Sequence, residues 1–440
     1  DFKLYTFQPH IVNLLKNHSP QVKAAAIQQL KSYNKGTAIN EIKQLLEYKN
    51  DEVVYAAMDY LLNHTQIKDE NIFRAYLDHP TDYISNAAIL CLAKDAATNQ
   101  KLAAKYDLSE RLDKKIKELF AVDNDLRKQE VAEIMAAVGY AREPKHYSFI
   151  SANFNNRDPY LVKHAIKAAG LTSYEPFIRP LLAFLAEKEF RSTARNALRS
   201  YGSEITQHFL QLELSENLSN DVKPHIPKVI ESFKSREAVK VLMRLLKSKD
   251  FVIRTEAAKS LNSLKMKYPN ISVDQRLLTQ ILLKEGTFYK NTIYAIAILK
   301  DVLAEETEDD LDTDTETERM IARENLLEVL LVQLDQSLEC IFKLLSLKYD
   351  QADIDTAYYG LKSDTKEVQI NAVEFLDNLL KSRLKSAILP LIEYHVVDAN
   401  DTSMLPTETP MKTELEMLKK LMKNRGSRIK LAALNVVRYS

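Results

Sequence analysis

The amino-acid sequence predicts an all-α chain built as a solenoid of repeated helix pairs. One helix pattern returns at a fixed interval, because the equivalent positions Val22, Val53 and Ile84 follow one another at steps of 31 residues. A period of this length is typical of repeat proteins, in which each unit buries its apolar face by stacking on the next. Seven Gly and an apolar content of 45% in 440 residues also suit helices. We therefore expect an extended surface instead of a catalytic cleft.

The predicted starts of these helices share a capping residue. The pattern continues with irregular spacing at Leu126, Leu161, Thr193, Val222, Ile253, Val368 and Ile429. Three residues before eight of the ten equivalent positions stands a Ser, Thr, Asn or Asp, whose side-chain oxygen can accept from free N–H groups; these are Ser19, Asn50, Thr81, Asp123, Asp158, Ser219, Asp250 and Thr365. Gly170 and Gly202 each lie nine residues past an equivalent position, where we expect a left-handed C-terminal cap.

Partner helices are predicted between these helices, at 39–46, 176–185 and 238–246, from apolar residues that recur every three and four positions. Two helices per unit fit several repeat architectures. The Trp, Gly, Tyr and Pro positions of tetratricopeptide repeats are missing, and so is the Thr-Pro-Leu-His turn of ankyrin repeats. The segment from Asp250 to Leu261, with Arg254 and Ala257 at the matching positions, resembles a HEAT repeat. This resemblance implies a right-handed α-α superhelix of the HEAT/armadillo-like kind.

The HEAT resemblance also implies a ladder of ion pairs, in which each Arg contacts the Asp of the preceding repeat. The matching residues are Asp123 and Arg127, then Asp250 and Arg254. A further polar pair, Asp377 and Asn378, lies between the apolar pairs Phe375-Leu376 and Leu379-Leu380. We expect this pair to join a buried hydrogen-bond network that holds two helices together. All six residues are therefore assigned a structural role in the repeat.

A narrower resemblance covers roughly residues 220 to 395. The segments 222–230, 340–349, 354–361 and 371–378 are similar to the soluble HEAT domain of certain bacterial membrane proteins, where it follows a major-facilitator or ATP/ADP-translocase-like transporter domain. The resemblance implies a cytoplasmic regulatory domain, tethered to the inner membrane through a segment absent from this chain. The first residue, Asp1, is not Met, which suggests a piece of a longer protein.

The regular pattern predicts five segments. Residues 1–300 form HEAT-like repeats, 301–318 an acidic flexible loop, 319–395 an irregular helical block, 396–410 a linker, and 411–440 basic capping helices. The acidic stretch 304–318 holds nine acids and no base. Its alternating Asp310, Asp312 and Asp314 suggest a calcium loop, but Thr315 and Ile321 occupy the positions that require Gly and Glu. A solvated loop is the better interpretation.

No catalytic motif is found in the sequence. It lacks a Gly-rich phosphate loop, a zinc-binding His-Glu-x-x-His and a nucleophile elbow, and its two cysteines, Cys91 and Cys340, lie in apolar helices where we expect buried thiols. We expect no enzymatic activity, no cofactor and no metal. A protein partner is favoured, including the membrane domain of the same polypeptide. Nucleic-acid binding through a basic concave face is the alternative, which zero net charge and the absence of Trp argue against. A small-molecule sensor or lyase-like enzyme is a third class without motif support.

Overall fold

The computed structural model describes residues 7–33, 36–65, 70–120, 127–214, 218–219, 221–248, 250–305, 314–396, 411, 413–423 and 427–439. Over these residues the chain is helical, contains no strand, and packs each helix against its neighbours, which confirms the predicted all-α fold and is consistent with a helical solenoid. The chain divides into two compact units, unit 1 (Asp1–Gly202) and unit 2 (Ser203–Ser440). Each unit is described by itself.

Unit 1 consists of two rows of helices. The helices are α1 (Gln8–Leu14), α2 (Pro20–Lys31), α3 (Ile39–Gln44), α4 (Asp51–His64), α5 (Asp82–Ala96), α6 (Lys101–Lys105), α7 (Leu108–Phe120), α8 (Lys128–Ala141), α9 (Tyr147–Ala152), α10 (Pro159–Thr172), α11 (Ile178–Ala183) and α12 (Arg191–Arg199). The inner helices α2, α4, α5, α8, α10 and α12 each contact the next inner helix. The helices α1, α3, α6, α7, α9 and α11 form the second set, and each contacts at least one inner helix. The row of contacts matches the predicted stacking of repeats.

The predicted N-caps begin four of the regular helices. The side chains of Ser19, Asn50, Asp158 and Asp250 accept from backbone N–H groups at the first turn of α2, α4, α10 and the later helix Phe251–Lys267. Thr81 and Thr365 occupy N-cap positions but make no capping bond. Asp123 lies outside the described residues. The predictions near Val222 and Leu126 differ from the structure. Val222 precedes a short 3₁₀ turn (Lys223–His225), and helix α8 begins only after Arg127.

Gly170 has a different role from the one predicted. It lies inside α10, and the left-handed residue that ends this helix is Ser173, with φ of 52°. A Cβ atom at Gly170 would lie 2.7 Å from the Cα and 2.8 Å from the Cβ of Ala197 in α12. Gly170 therefore allows the inner helices α10 and α12 to approach each other closely at this position. Gly202, with φ of 77°, does adopt the predicted left-handed conformation.

We expect Gly170→Ala to destabilise unit 1 by about 1–3 kcal/mol, because the added methyl group meets backbone atoms that cannot move aside cheaply. Gly202→Asn is the matched control, since nothing lies within 4 Å of a Cβ at Gly202 and Asn tolerates positive φ. Urea unfolding followed by circular dichroism measures both variants. Equal stability of the two variants would show that packing against Ala197 does not require glycine at position 170.

Unit 2 contains longer helices and a less regular arrangement. Its helices are α13 (Ile205–Leu214), α14 (Ile226–Ile230), α15 (Arg236–Leu245), α16 (Phe251–Lys267), α17 (Gln275–Glu305), α18 (Asp314–Ser346), α19 (Gln351–Leu361), α20 (Lys366–Leu379), α21 (Ser382–Val396), α22 (Glu414–Met422) and α23 (Ser427–Arg438). Helices α17 and α18 pack on each other and carry α21 and α23 respectively. Arg323 of α18 binds Glu414 of α22 through two hydrogen bonds of 2.7 Å, which anchors the C-terminal helices.

The predicted segment boundaries shift in unit 2. Helix α17 runs through residue 300, where the sequence predicted the end of the repeats. Residues 301–305 and 314–318 of the predicted loop are helical, because α17 continues to Glu305 and α18 starts at Asp314. Residues 306–313 lie outside the described part. Of the predicted linker 396–410, only Val396 is described, as the last residue of α21. Among the described helices, none combines the length and apolar character that a membrane crossing requires.

Candidate functional site on the inner helices of unit 1

Side chains from non-adjacent inner helices meet on one face of unit 1. The Tyr55 hydroxyl of α4 donates to Oε1 of Glu133 in α8 at 2.5 Å, although α5 lies between these helices in the row. Gln129 of α8 donates to the same hydroxyl and, at 3.3 Å, to the same carboxylate oxygen. Side chains can bridge across an intervening helix only if the row curves toward them. This face of unit 1 is therefore concave.

A carboxylate of α4 extends this polar cluster. Asp59 forms an ion pair of 2.6 Å with Lys31 of α2 and accepts a hydrogen bond from Asn63. Its charge also influences Tyr55 and Glu133. We call Tyr55, Asp59, Gln129 and Glu133 the inner cluster. It combines three kinds of hydrogen-bonding group, contributed by α4 and α8.

Burial controls the ionisation of the inner cluster. It raises the pKa of Glu133 to about 7, and the nearby charge of Asp59 adds to this, while the hydrogen bonds from Tyr55 and Gln129 oppose it. Burial and then the charge of Glu133 raise the pKa of Tyr55 above its usual range. Oε2 of Glu133 is buried and has no hydrogen-bond partner among the described residues. The cluster therefore contains a buried acceptor whose hydrogen bond no described donor supplies.

The charges of this region also affect two ring side chains of α10, His164 and Tyr160. Burial, with the positive charges of Lys167 and Lys31, lowers the pKa of His164 to about 4. Its ring lies 4.4 Å from the ring of Tyr160, centroid to centroid, and the charges of Glu133 and Asp59 contribute to a raised pKa of Tyr160. His164 is therefore neutral at physiological pH, and the region carries acidic but no imidazolium charge.

A cavity of about 560 Å³ opens beside the inner cluster. Its lining residues come from four inner helices and the residue before α8: Gln21, Ala24, Ala25 and Gln28 of α2, Glu52 and Tyr55 of α4, Tyr83 of α5, and Arg127, Lys128, Gln129 and Glu130. Ala25 is exposed here, whereas Ala24 and Ala26 are buried between helices. The rings of Tyr55 and Tyr83 meet edge to face at 5.4 Å. We call this space the inner cavity.

The two cations at the inner cavity are already paired. Arg127 contacts Asp82 of α5 at 2.9 Å and Glu130 at 2.5 Å. Lys128 forms an ion pair with Asp158, the N-cap of α10. Glu52, by contrast, is exposed and forms no ion pair with any described residue. The unpaired charge among the lining residues is therefore negative, from Glu52, and Glu133, in contact with the lining residues Tyr55 and Gln129, adds a second negative charge once it ionises.

The predicted ladder residues do not converge on one site. Arg127 contacts Asp82, an acid of the preceding inner helix α5, at 2.9 Å, and Asp123 lies outside the described residues. Asp250 caps α16. Arg254 binds Glu285 of α17, which follows it by 31 residues, at 2.5 Å, and the Ser248 carbonyl at 3.0 Å. Arg254 therefore pairs with an acid of the following helix, α17, instead of an acid of the preceding repeat.

The expectation for Asp377 and Asn378 is wrong. Asp377 forms an ion pair of 2.7 Å with Lys385 and keeps 42% of its side chain exposed. Asn378 is exposed and donates to the Glu374 carbonyl of its own helix. The apolar neighbours of the two residues do not indicate burial here, because Phe375 is itself 41% exposed. Both polar residues lie on the solvent side of α20.

The inner cluster itself was not predicted. A signal was present, since Glu130 and Glu133 interrupt the apolar helix 128–141 at a spacing of three and so share one face. Such a spacing on a repeat helix does not say whether the face is solvent or a concave surface. The described residues hold no group of three or more His, Cys, Asp or Glu suited to a metal ion. Burial raises the pKa of both Cys91 and Cys340 to about 12.

Comparison with known proteins does not assign a family. No protein-family model matches the chain, and no curated protein is significantly similar to it. A crystal structure of an engineered protein from a structural genomics consortium is similar over 98% of both chains, with 16% identity and a TM-score of 0.30. A second engineered protein matches 59% of this chain and 96% of its own, with 18% identity and a TM-score of 0.25. At these TM-scores neither structure identifies the fold family.

Proposed function

We propose that this protein is a non-catalytic protein-interaction scaffold whose inner cavity binds a positively charged, extended segment of a protein partner. The observation that carries the proposal is the buried Oε2 of Glu133, which lacks a donor, next to a cavity lined by four helices. A Lys or Arg side chain supplies both the missing donor and the opposite charge. The polar and aromatic lining suits a peptide backbone and its side chains.

Charge complementarity favours a basic segment. Arg127 and Lys128 are neutralised by Asp82, Glu130 and Asp158, so they do not repel an incoming cation strongly. Binding of a cation beside Glu133 also favours its ionised form, because opposite charges lower a carboxyl pKa. The affinity is therefore expected to rise as pH increases from 6 to 8, through the pKa of about 7.

A library of random twelve-residue peptides displayed on phage tests the cavity. We expect peptides selected on residues 1–440 to be enriched in Lys and Arg. Synthetic copies should bind the Glu52→Gln/Glu133→Gln variant at least tenfold more weakly, since one lost charge-assisted bond already costs about 1.5–3 kcal/mol. The control is Glu187→Gln, an exposed acid of unit 1 that forms no ion pair with the described residues. Peptides without basic enrichment, or with equal affinity for both variants, would refute the proposal.

We also propose that the scaffold is the cytoplasmic regulatory HEAT domain of a transporter-like membrane protein. The support is the sequence resemblance of residues 220 to 395. A photo-reactive amino acid in place of Gln28, which is exposed at the inner cavity, should crosslink to the transporter domain of the same polypeptide or to a partner protein in native membranes. If it traps neither, while the protein is present at normal amounts, this part of the proposal fails.

A further inference from the structure

A groove with a strongly basic wall runs along α15 in unit 2. Three cavities of about 570, 710 and 460 Å³ follow one another there. The first and second share Val239, Lys240 and Ser272, and the second and third share Lys247 and Leu277. The cavities therefore adjoin one another in a groove, whose first two parts lie between α15 and the segment 267–277 and whose third part lies against residues 246–254 and α17. We call it the basic groove.

One edge of the basic groove is a row of cations. Arg236, Lys240 and Arg244 are four residues apart on α15, and Lys247 follows three residues later. Residues four apart share one face of a helix, so Arg236, Lys240 and Arg244 lie about 6 Å apart along α15, and Lys247 lies in the turn just past its end. All four side chains are exposed, and none forms an ion pair with a described residue. A row of unneutralised cations at regular spacing matches a ligand with regularly spaced negative charges.

Two acids, Asp274 and Glu285, line the basic groove, and both are engaged, while the exposed Glu237 of α15 lines none of the three cavities. Asp274 accepts from the N–H groups of Arg276 and Leu277 at 3.0 Å each. Glu285 is paired with Arg254. Glu231 binds Lys267, the cation of the opposite wall, at 3.0 Å, and Lys228 at 2.7 Å. The groove therefore keeps a positive charge even though the whole chain has none in net.

Aromatic and apolar surfaces lie beside the cations. Tyr268 is half-buried in the first cavity, and the Nζ of Lys234 lies 4.5 Å from its ring centroid. Pro269 and Ile271 line the same cavity, and Phe288 is half-buried in the third. A cation-lined groove with aromatic side chains is the arrangement by which proteins bind single-stranded nucleic acid without sequence preference.

We propose that the basic groove binds single-stranded nucleic acid, with its phosphates along Arg236, Lys240, Arg244 and Lys247 and a base against Tyr268. Each nucleotide brings a flat ring together with its phosphate, whereas a peptide of acidic residues alone brings no ring for Tyr268. A bilayer surface is flat and does not enter a groove formed by cavities of several hundred Å³. The zero net charge of the chain does not oppose this binding, because the charge that a bound strand meets is the local charge of the groove. This site is distinct from the inner cavity of unit 1.

Fluorescence anisotropy with a labelled twelve-nucleotide oligothymidylate tests the proposal on residues 1–440. We expect saturable binding at 50 mM KCl, and a plot of log affinity against log salt with a slope of about −2 to −3, as three or four neutralised phosphates give. The variant Lys240→Gln/Arg244→Gln/Lys247→Gln should bind at least tenfold more weakly and lose about two units of slope. Tyr268→Ala should lower the affinity about tenfold without changing the slope.

The matched control variant is Lys366→Gln/Lys381→Gln/Arg383→Gln. It removes the same charge from exposed residues of unit 2 that line none of the three cavities. We expect it to bind the oligonucleotide as the unchanged protein does. Equal loss in both triple variants would overturn the proposal, as would an absence of binding at 50 mM KCl. Equally tight binding of a twelve-residue polyglutamate, or binding only to phosphatidylserine vesicles, would assign the groove to those partners and overturn it as well.

Discussion

Glu285→Ala is expected to destabilise unit 2 by about 3–5 kcal/mol, because it removes the carboxylate that balances the buried charge of a guanidinium. Arg254 is 9% exposed and Glu285 is 4% exposed. Their two hydrogen bonds measure 2.5 and 3.3 Å and join α16 to α17. Removing the carboxylate keeps the desolvation cost of Arg254 but loses the attraction that offsets it. This is the largest effect that we expect from a single substitution in the protein.

Hydrogen–deuterium exchange of α16 peptides measures this effect within unit 2. The double variant Arg254→Met/Glu285→Leu should cost much less than Glu285→Ala, because it removes both buried charges together. Glu256→Ala, at a partly exposed ion pair with Lys259, should cost less than about 1 kcal/mol. If the amides of α16 exchanged as slowly in the Glu285→Ala variant as in the Glu256→Ala variant, the buried pair would not hold α16 and α17 together.

Glu133→Gln is expected to stabilise unit 1 increasingly as pH rises. The carboxyl pKa is about 7 in the folded protein, above the ordinary value of 4.5. Below pH 4.5 the carboxyl group is protonated in both states and imposes no penalty. Between the two pKa values the unfolded state ionises first, so the unchanged protein loses stability, and above pH 7 the loss reaches about 3 kcal/mol. Gln does not titrate, so the variant escapes this loss and still accepts from Tyr55.

Urea unfolding of both proteins at several values between pH 4 and pH 8 tests this expectation. The difference in unfolding free energy should be near zero at pH 4 and should reach its full size by pH 8. Glu187→Gln, at an exposed acid of the same unit, should follow the unchanged protein at each pH. Parallel stability curves for Glu133→Gln and the unchanged protein would contradict the raised pKa.

Helix starts and helix type could be predicted because they depend on neighbouring residues. The oxygen of Ser19 or Asn50 caps N–H groups only three residues away. Likewise, the alternation of inner and outer helices follows from apolar residues three and four apart. Predictions of contacts failed where the partner residue is distant in sequence. The Arg254 partner, 31 residues further on, lay on the opposite side from the one that the repeat pattern indicated.

The roles of Gly170, Asp377 and Asn378 could not be predicted from neighbouring residues either. The sequence places Gly170 near a helix end, but its role depends on Ala197 of the next inner helix. Asp377 and Asn378 have apolar neighbours, yet which face of α20 is covered depends on α19 and α21. Local sequence cannot report either contact, because side-chain burial depends on which helix lies opposite.

The sequence by itself determined that this is an all-α chain of capped helices with a period near 31 residues, since hydrogen bonds within four residues and apolar periodicity decide both. Only the tertiary structure decided where charge and unsatisfied groups gather. Curvature of the inner row brings Tyr55 to Glu133 across α5, and the pairing of nearby acids leaves α15 as a basic wall in a chain of zero net charge. Both features depend on distances between separate helices, which composition and periodicity do not contain.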